Sequence, residues 1–387
     1  MKNRKVLAAI VAIAPASAWK LIVASYNAPS EPLGTVRLLD YQKNTGALNV
    51  VATSRDCGIM PTWLDLSSGG STVTCVDEGV PGSLNLLNIN ANGSLSKLSS
   101  VTTLGGPVSS QFYDDSSAVG LAHYTPPAIS SFSLQDNKFS PLQNFTFNSS
   151  GPTGPDPARQ DSSHVHQALI DPTGEYLLFP DLGADVTHIY RIDANTGDLV
   201  VSAPLKAKPG YGPRHAAFWK PEGCSDETYL FIIHELTNRI ISYSVTYLDN
   251  GDLSFAEVDE VGTFGDRDAP KGANAAEITV SPDNSFLVAS NRLAPIFNIT
   301  NPDPSNSTTI QSDSLVTFKP TAEGKLEFVE LVPSGGLHPR HFSFNDDGSL
   351  IAVGHQFSGT VLVYARDVET GKIAGQIAFA KDLGPLT

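Results

Sequence analysis

Three cysteines in 387 residues allow at most one internal disulfide, so a fold stapled by a disulfide framework is excluded. Beyond residue 18 no stretch approaches the roughly 20 apolar residues that a membrane-spanning helix needs. Charged residues are only 17% of the chain, and no long segment carries apolar residues at helical spacing, which argues against a helix-rich fold. Cations are scarcer than anions: 25 Lys and Arg stand against 40 Asp and Glu, a formal charge of −15. That field repels nucleic acid and anionic membranes, and any anionic ligand has to be held by local arginines. A G-x-S-x-G elbow and a helix-opening phosphate cradle are both missing, which removes the serine-hydrolase and nucleotide-binding readings. No cofactor is expected.

What is present at the start reads as a signal peptide over residues 1–18. Lys2, Arg4 and Lys5 form a positive segment, Val6 to Ala14 an apolar one, and Ala16-Ser17-Ala18 a small-residue cleavage site before Trp19. Loss of those three cations takes the formal charge to −18. N-x-S/T sequons at Asn92, Asn144, Asn148, Asn298 and Asn306 lie in Gly, Ser, Asn or Pro-rich stretches. Together these features predict a secreted, N-glycosylated, soluble monomer whose single domain spans residues 19–387. Cys57 stands just before one predicted strand and Cys75 in the next, which makes them the expected disulfide pair and leaves Cys224 as the odd, inert thiol.

Short apolar runs bounded by turns dominate, an all-β signature. One unit recurs: an apolar strand, a turn, a second strand with a polar end, then two strands joined by a pair such as Asn-Gly or Thr-Gly. The second strand occurs at residues 21–25, 73–77, 119–123, 177–181, 231–235, 287–291 and 351–355. A spacing of roughly 45 to 65 residues matches four-stranded antiparallel blades, so the expected fold is a seven-bladed β-propeller. The first unit opens at its second strand. Its innermost strand has to come from elsewhere, and the tail after Phe379 looks short for that task.

In such a blade the start of the first strand and the end of the second lie at one face, so residues at both positions converge on one mouth of the channel. First strands start with His164-Val165-His166, Pro213-Arg214-His215, Ala276-Glu277 and Pro339-Arg340-His341. Second strands end with Asp77-Glu78, His123-Tyr124, Asp181, His234-Glu235, Asn291-Arg292 and His355-Gln356. Polar residues at blade junctions often just bond a neighbouring backbone. Three arginines, however, are a poor filling for a core, because buried cations need partners. His164 and His166 face the same way on one strand and with Glu235 could hold a cation, although the arginines oppose this, and no metal is expected.

Several of these stretches resemble one family. Asp171-Pro172-Thr173-Gly174-Glu175-Tyr176 running to Asp181-Leu182-Gly183-Ala184-Asp185, then Gly212-Pro213-Arg214-His215, Ser281-Pro282-Asp283, Ser290-Asn291-Arg292 and Pro339-Arg340, are similar to the seven-bladed lactonase-type propellers. That family includes 6-phosphogluconolactonases and the fungal carboxy-cis,cis-muconate cyclases. The resemblance implies catalytic His166, Arg214, Arg292 and Glu235, with His164, His215, Glu277, Arg340, His341 and Asp181 around the substrate. In the implied chemistry His166 is a general base, the arginines bind lactone or carboxyl oxygens, and Glu235 orients the histidine or serves as the acid. Family members typically act inside the cell. An export signal therefore redirects the expected substrate from metabolic intermediates to an aldonolactone such as glucono- or cellobionolactone. A muconate-type cycloisomerase or carbohydrate lyase, and a non-catalytic propeller that binds a glycan or protein, are the alternatives.

Overall fold

The computed structural model describes residues 10–13, 19–29, 31–147, 151, 153–223 and 227–387. Seven four-stranded antiparallel sheets follow one another along the chain, as expected for a seven-bladed β-propeller. Among the described residues the helical content is one short 3-10 turn, Asp114–Ser116. All seven expected second strands occupy the second position of a blade.

The blades follow the repeat. Blade five shows the pattern: Pro213–Trp219 is innermost, Thr228–His234 second, Arg239–Tyr247 third and Leu253–Gly262 outermost. The second strand is buried throughout, whereas the outermost is largely exposed on one face. Inner strands are largely buried on both faces because neighbouring blades cover both. The resulting core is a series of inter-blade clusters, such as Phe231, Ile233, Ala275, Leu287, Ala289 and Val316 between blades five and six. Blade six carries an inserted hairpin, Phe297–Thr300 with Thr309–Ser312, between its second and third strands.

Closure joins blade seven to blade one. Backbone of Ile10–Ile13 pairs with Lys20 to Val23 as the innermost strand of blade one. The C-terminal tail also reaches this blade, contrary to the expectation from its length: Leu386 bridges Ser25, and Thr387 N–H donates to the carbonyl of Ala24 at 3.2 Å. Leu383 and Leu386 pack into the cluster of Trp19, Leu21, Val361 and Val363. The ring is therefore sealed by apolar burial as well as by pairing.

Cys57 and Cys75 are disulfide-bonded. Cys224 and Asn148 lie outside the described residues, while Asn92, Asn144, Asn298 and Asn306 are exposed.

Candidate active site

Six inner strands start alike, with Pro61-Thr62-Trp63, Pro107-Val108-Ser109, Val165-His166-Gln167, Pro213-Arg214-His215, Ala275-Ala276-Glu277 and Pro339-Arg340-His341. In each the first residue pairs with the second strand, and one extra residue then interrupts the ladder. Pro213 faces His234 but His215 faces Ile233; the same skip separates Pro61 from Trp63, Pro107 from Ser109 and Pro339 from His341. Blade six skips between Ala275 and Ile278, and blade four has an isolated Val165–Asp181 bridge before its ladder resumes at Leu169. Such bulges bend the strand and re-aim side chains. Here they turn Thr62, His166, Arg214, His215, Glu277, Arg340 and His341 toward one small cavity at the channel axis, with Trp63 and Val108 as its apolar wall.

Gly212 shapes the entry to the blade-five bulge. Its φ of +65° is in the left-handed region, and a Cβ there would meet Leu236 at 2.6 Å. Asp185 fixes the same turn by accepting from the N–H groups of Gly210 and Gly212 at 2.6 and 2.8 Å.

Two carboxylates organise the mouth. Glu235, only 3% exposed, binds Arg159 at 2.6 Å, Arg214 Nε at 2.9 Å and Arg292 at 2.7 Å. Burial acts to raise its carboxyl, but Arg292, Arg214 and Arg159 overcome this and hold it down at about 2. Burial and its cationic neighbour Arg292 in turn lower Arg214 to about 9. Arg214 also donates to the carbonyl of Ala276 at 2.6 Å, so its guanidinium is held in one orientation. Arg340 is less buried and lies 5.6 Å over the ring of Tyr26, whose hydroxyl donates to Glu78. Arg292 is further flanked by His338, which stacks on Phe357.

Glu277 is the second. It is 2% exposed and binds His215 Nδ1 at 2.9 Å and His341 Nδ1 through its other oxygen. His215 Nε2 lies 3.2 Å from His166 Nδ1. Burial, followed by the charges of Arg214, His215, Arg340 and Arg292, holds His166 well below its ordinary value, so it is a neutral imidazole at neutral pH. Tyr124 lies edge-on to His166, and Trp63 edge-on to His215 and His341.

The structure thus brings His166, Arg214, His215, Glu235, Glu277, Arg292, Arg340 and His341 together. Three expectations need correction. Asp181 does not face the cavity: it accepts from the N–H groups of His164, Gly183 and Ala184 and pairs with His188 at 3.0 Å, pinning the loop instead. His164, expected around the substrate, does not line the cavity: it is stacked on Tyr124 and bonded to the Tyr124 carbonyl and Asp161. Glu235 makes no hydrogen bond to a histidine among the described residues: its oxygens are bound by three guanidiniums, which hold its carboxyl low. The carboxylate that orients histidines is Glu277.

Arg159 and Trp63 stand outside the expected set. Arg159 reaches Glu235 from the long connection into blade four, where a turn at Asp156 and bonds from Gln160 to Leu182 and Thr153 to Gly183 hold the loop down. Local sequence carries no sign of that reach. Trp63 has a signal, since aligning Pro61-Thr62-Trp63 with Pro213-Arg214-His215 puts it in the His215 row.

The chain is thus a closed seven-bladed ring with an arginine-rich, histidine-containing mouth. The family model described as lactonase, 7-bladed beta-propeller matches residues 20–380. A protein of Arthroderma benhamiae named "Probable 6-phosphogluconolactonase" is 32% identical over 341 residues, covering 87% of this chain and 81% of that one. The 6-phosphogluconolactonase of Formosa agariphila is 29% identical over 350 residues, 87% of this chain and 90% of its own. The periplasmic gluconolactonase of Pseudomonas aeruginosa has the same fold, with a TM-score of 0.76 over 96% of this chain and 98% of its own at 23% identity. This chain belongs to the lactonase family of seven-bladed β-propellers.

Proposed function

We propose that the chain is an exported lactonase that opens an aldonolactone, such as glucono- or cellobionolactone, to the free acid. The observation that carries this reading is the position of His166. It lines the channel cavity beside Arg214 and Arg340, its Nδ1 is engaged by His215, and its Nε2 has no protein partner among the described residues. A neutral imidazole so placed can take a proton from water as the water oxygen adds to the lactone carbonyl. The oxyanion that forms is stabilised by Arg214 and Arg340, held ready by contacts made before substrate arrives. Collapse of that intermediate breaks the ring C–O bond, and the imidazolium returns its proton to the departing oxygen. Negative charge developing on the lactone oxygen offsets the arginine field, so His166 becomes a stronger base as the water oxygen adds.

Names of relatives, 6-phosphogluconolactonase and gluconolactonase, support gluconolactone chemistry. Export rests on the leader-like first 18 residues, the exposed sequons and a disulfide of the kind that persists in oxidising compartments. Cleavage at Ala18 would remove Ile10–Ile13 and leave blade one closed by the tail contact. Mass spectrometry of protein from the culture medium tests this: a mature start near Trp19 with glycan on Asn298 is expected, and an intact Met1 terminus without glycan would sink the export reading.

The reaction is tested by a pH-stat assay on glucono- and cellobionolactone, in which hydrolysis releases a proton. His166→Ala and Arg214→Ala should abolish turnover while the ring stays folded by circular dichroism. Full activity in both variants would refute the site. Carboxymuconate turnover followed by ultraviolet absorbance, with no lactone hydrolysis, would instead favour the cycloisomerase.

A further inference from the structure

Glu277 is the only carboxylate bonded to the histidines of the cavity among the described residues, and it bonds two of them through separate oxygens. An ionised carboxylate only accepts hydrogen bonds. His215 must therefore carry its hydrogen on Nδ1, 2.9 Å from Glu277 Oε1. A neutral imidazole has one such hydrogen, so His215 Nε2 is a bare acceptor. His166 Nδ1, 3.2 Å from that nitrogen, is then the donor, and the hydrogen of His166 sits on Nδ1. Its Nε2 is left bare on the channel side. Arg214 NH1 also approaches the His215 ring, at 3.3 and 3.4 Å, but its shorter bond goes to the Ala276 carbonyl at 2.6 Å.

We propose that Glu277 is a positioning residue that sets the tautomers along the chain Glu277, His215, His166, so that His166 presents an unprotonated Nε2 to the ligand. Its second bond, to His341 Nδ1, fixes the carboxylate plane and places a hydrogen on His341 Nδ1. The neutral state of His215 agrees: burial, opposed by Glu277 and assisted by Arg214, places it at about 4. The partial negative charge that each acceptor passes to the next donor strengthens the chain as His166 gains a proton. Use of His166 as a base rests on the function proposed above; the tautomers do not.

Histidine tautomers are read directly by long-range proton–nitrogen correlation on the full chain labelled with ¹⁵N-histidine at pH 7, assigned with His166→Gln and His215→Gln. Both residues are expected as Nδ1–H imidazoles. An Nε2–H tautomer or an imidazolium at His166 would overturn the proposal. In the second arm, Glu277→Gln, whose amide must donate from one side, should invert at least one of His215 and His341. It should lower kcat by about 10²- to 10⁴-fold with little change in KM, and Glu277→Asp should recover part of kcat. Unchanged tautomers and kcat in Glu277→Gln would equally refute it. If the tautomers are as stated but His166→Ala keeps full lactone turnover, the assignment of the base falls and the tautomer chain stands.

Discussion

At one face of the ring two rows of polar residues run side by side, and they do different work. The inner-strand starts supply Arg214, His215, Glu277, Arg340 and His341, which face a common cavity. The second-strand ends supply His123, bonded to the Gly105 carbonyl and Ser130, His355, bonded to Ser334, and Asp77 and Asp181, which hold loop N–H groups. Residues of the second row are one strand further from the axis, so they reach the loops of their own and adjacent blades and not the channel. Two residues cross between the rows. Glu235 lies one position past its strand and Arg292 closes its own, and both point inward to join the arginine cluster. Closeness to one mouth is therefore insufficient to define a site; distance from the axis divides function from support.

The sharpest test sets the rows against each other. Arg214→Ala should lower kcat/KM by about 10³-fold on the best lactone. His355→Ala should leave kcat/KM of the folded protein within about twofold while lowering stability by about 1–3 kcal/mol, the usual cost of a broken buried hydrogen bond. Comparable losses of turnover in both would erase the distinction. Stability reverses the ranking within the inner cluster: Glu235→Ala strips three guanidiniums of their carboxylate and should cost about 3–5 kcal/mol in urea denaturation.

The arginine-bound carboxylate and the buried histidines should also separate by pH. Glu235 is held at about 2 against an ordinary 4.5, so its contribution is present above about pH 4.5 and is lost as pH falls through 2. His123 and His355 are held, chiefly by burial, at about 4 against an ordinary 6.5. The unfolded chain binds those protons first, so stability falls as pH drops from about 6.5 to about 4. Denaturation at pH 7, 5 and 3 should show two steps. His123→Gln should flatten only the upper one and Glu235→Gln only the lower. The smallest effect is expected at Arg159, whose side chain is 33% exposed: Arg159→Ala should cost about 1 kcal/mol or less, since water screens that pair.

Legibility followed the range of the interactions. Blade number and strand order depend on turns and apolar periodicity within about 60 residues, and both were readable. The Pro-Arg-His starts and the Glu235 and Arg292 ends were readable as a shared face. Division of that face into cavity and pins was not, because it depends on a bulge of one residue whose effect on side-chain direction shows only once the strands are paired. Nor was the exchange of roles between Glu235 and Glu277. Each carboxylate follows or accompanies a basic motif of its own blade, and which cation it meets is settled only when blades four to seven are set around one axis.

The sequence by itself determined a seven-fold repeat, an all-β ring, a pair of cysteines near enough to bond and a set of histidines and arginines bound for one end. Those follow from composition and period, which act along the chain. Tertiary structure alone decided that the tail reaches blade one, that Arg159 crosses from a loop to Glu235, and that Glu277 reads out through His215 to His166. These contacts join residues 49 to more than 300 positions apart. Their geometry is set by how six bulged strands meet around a channel, a property that no single blade possesses.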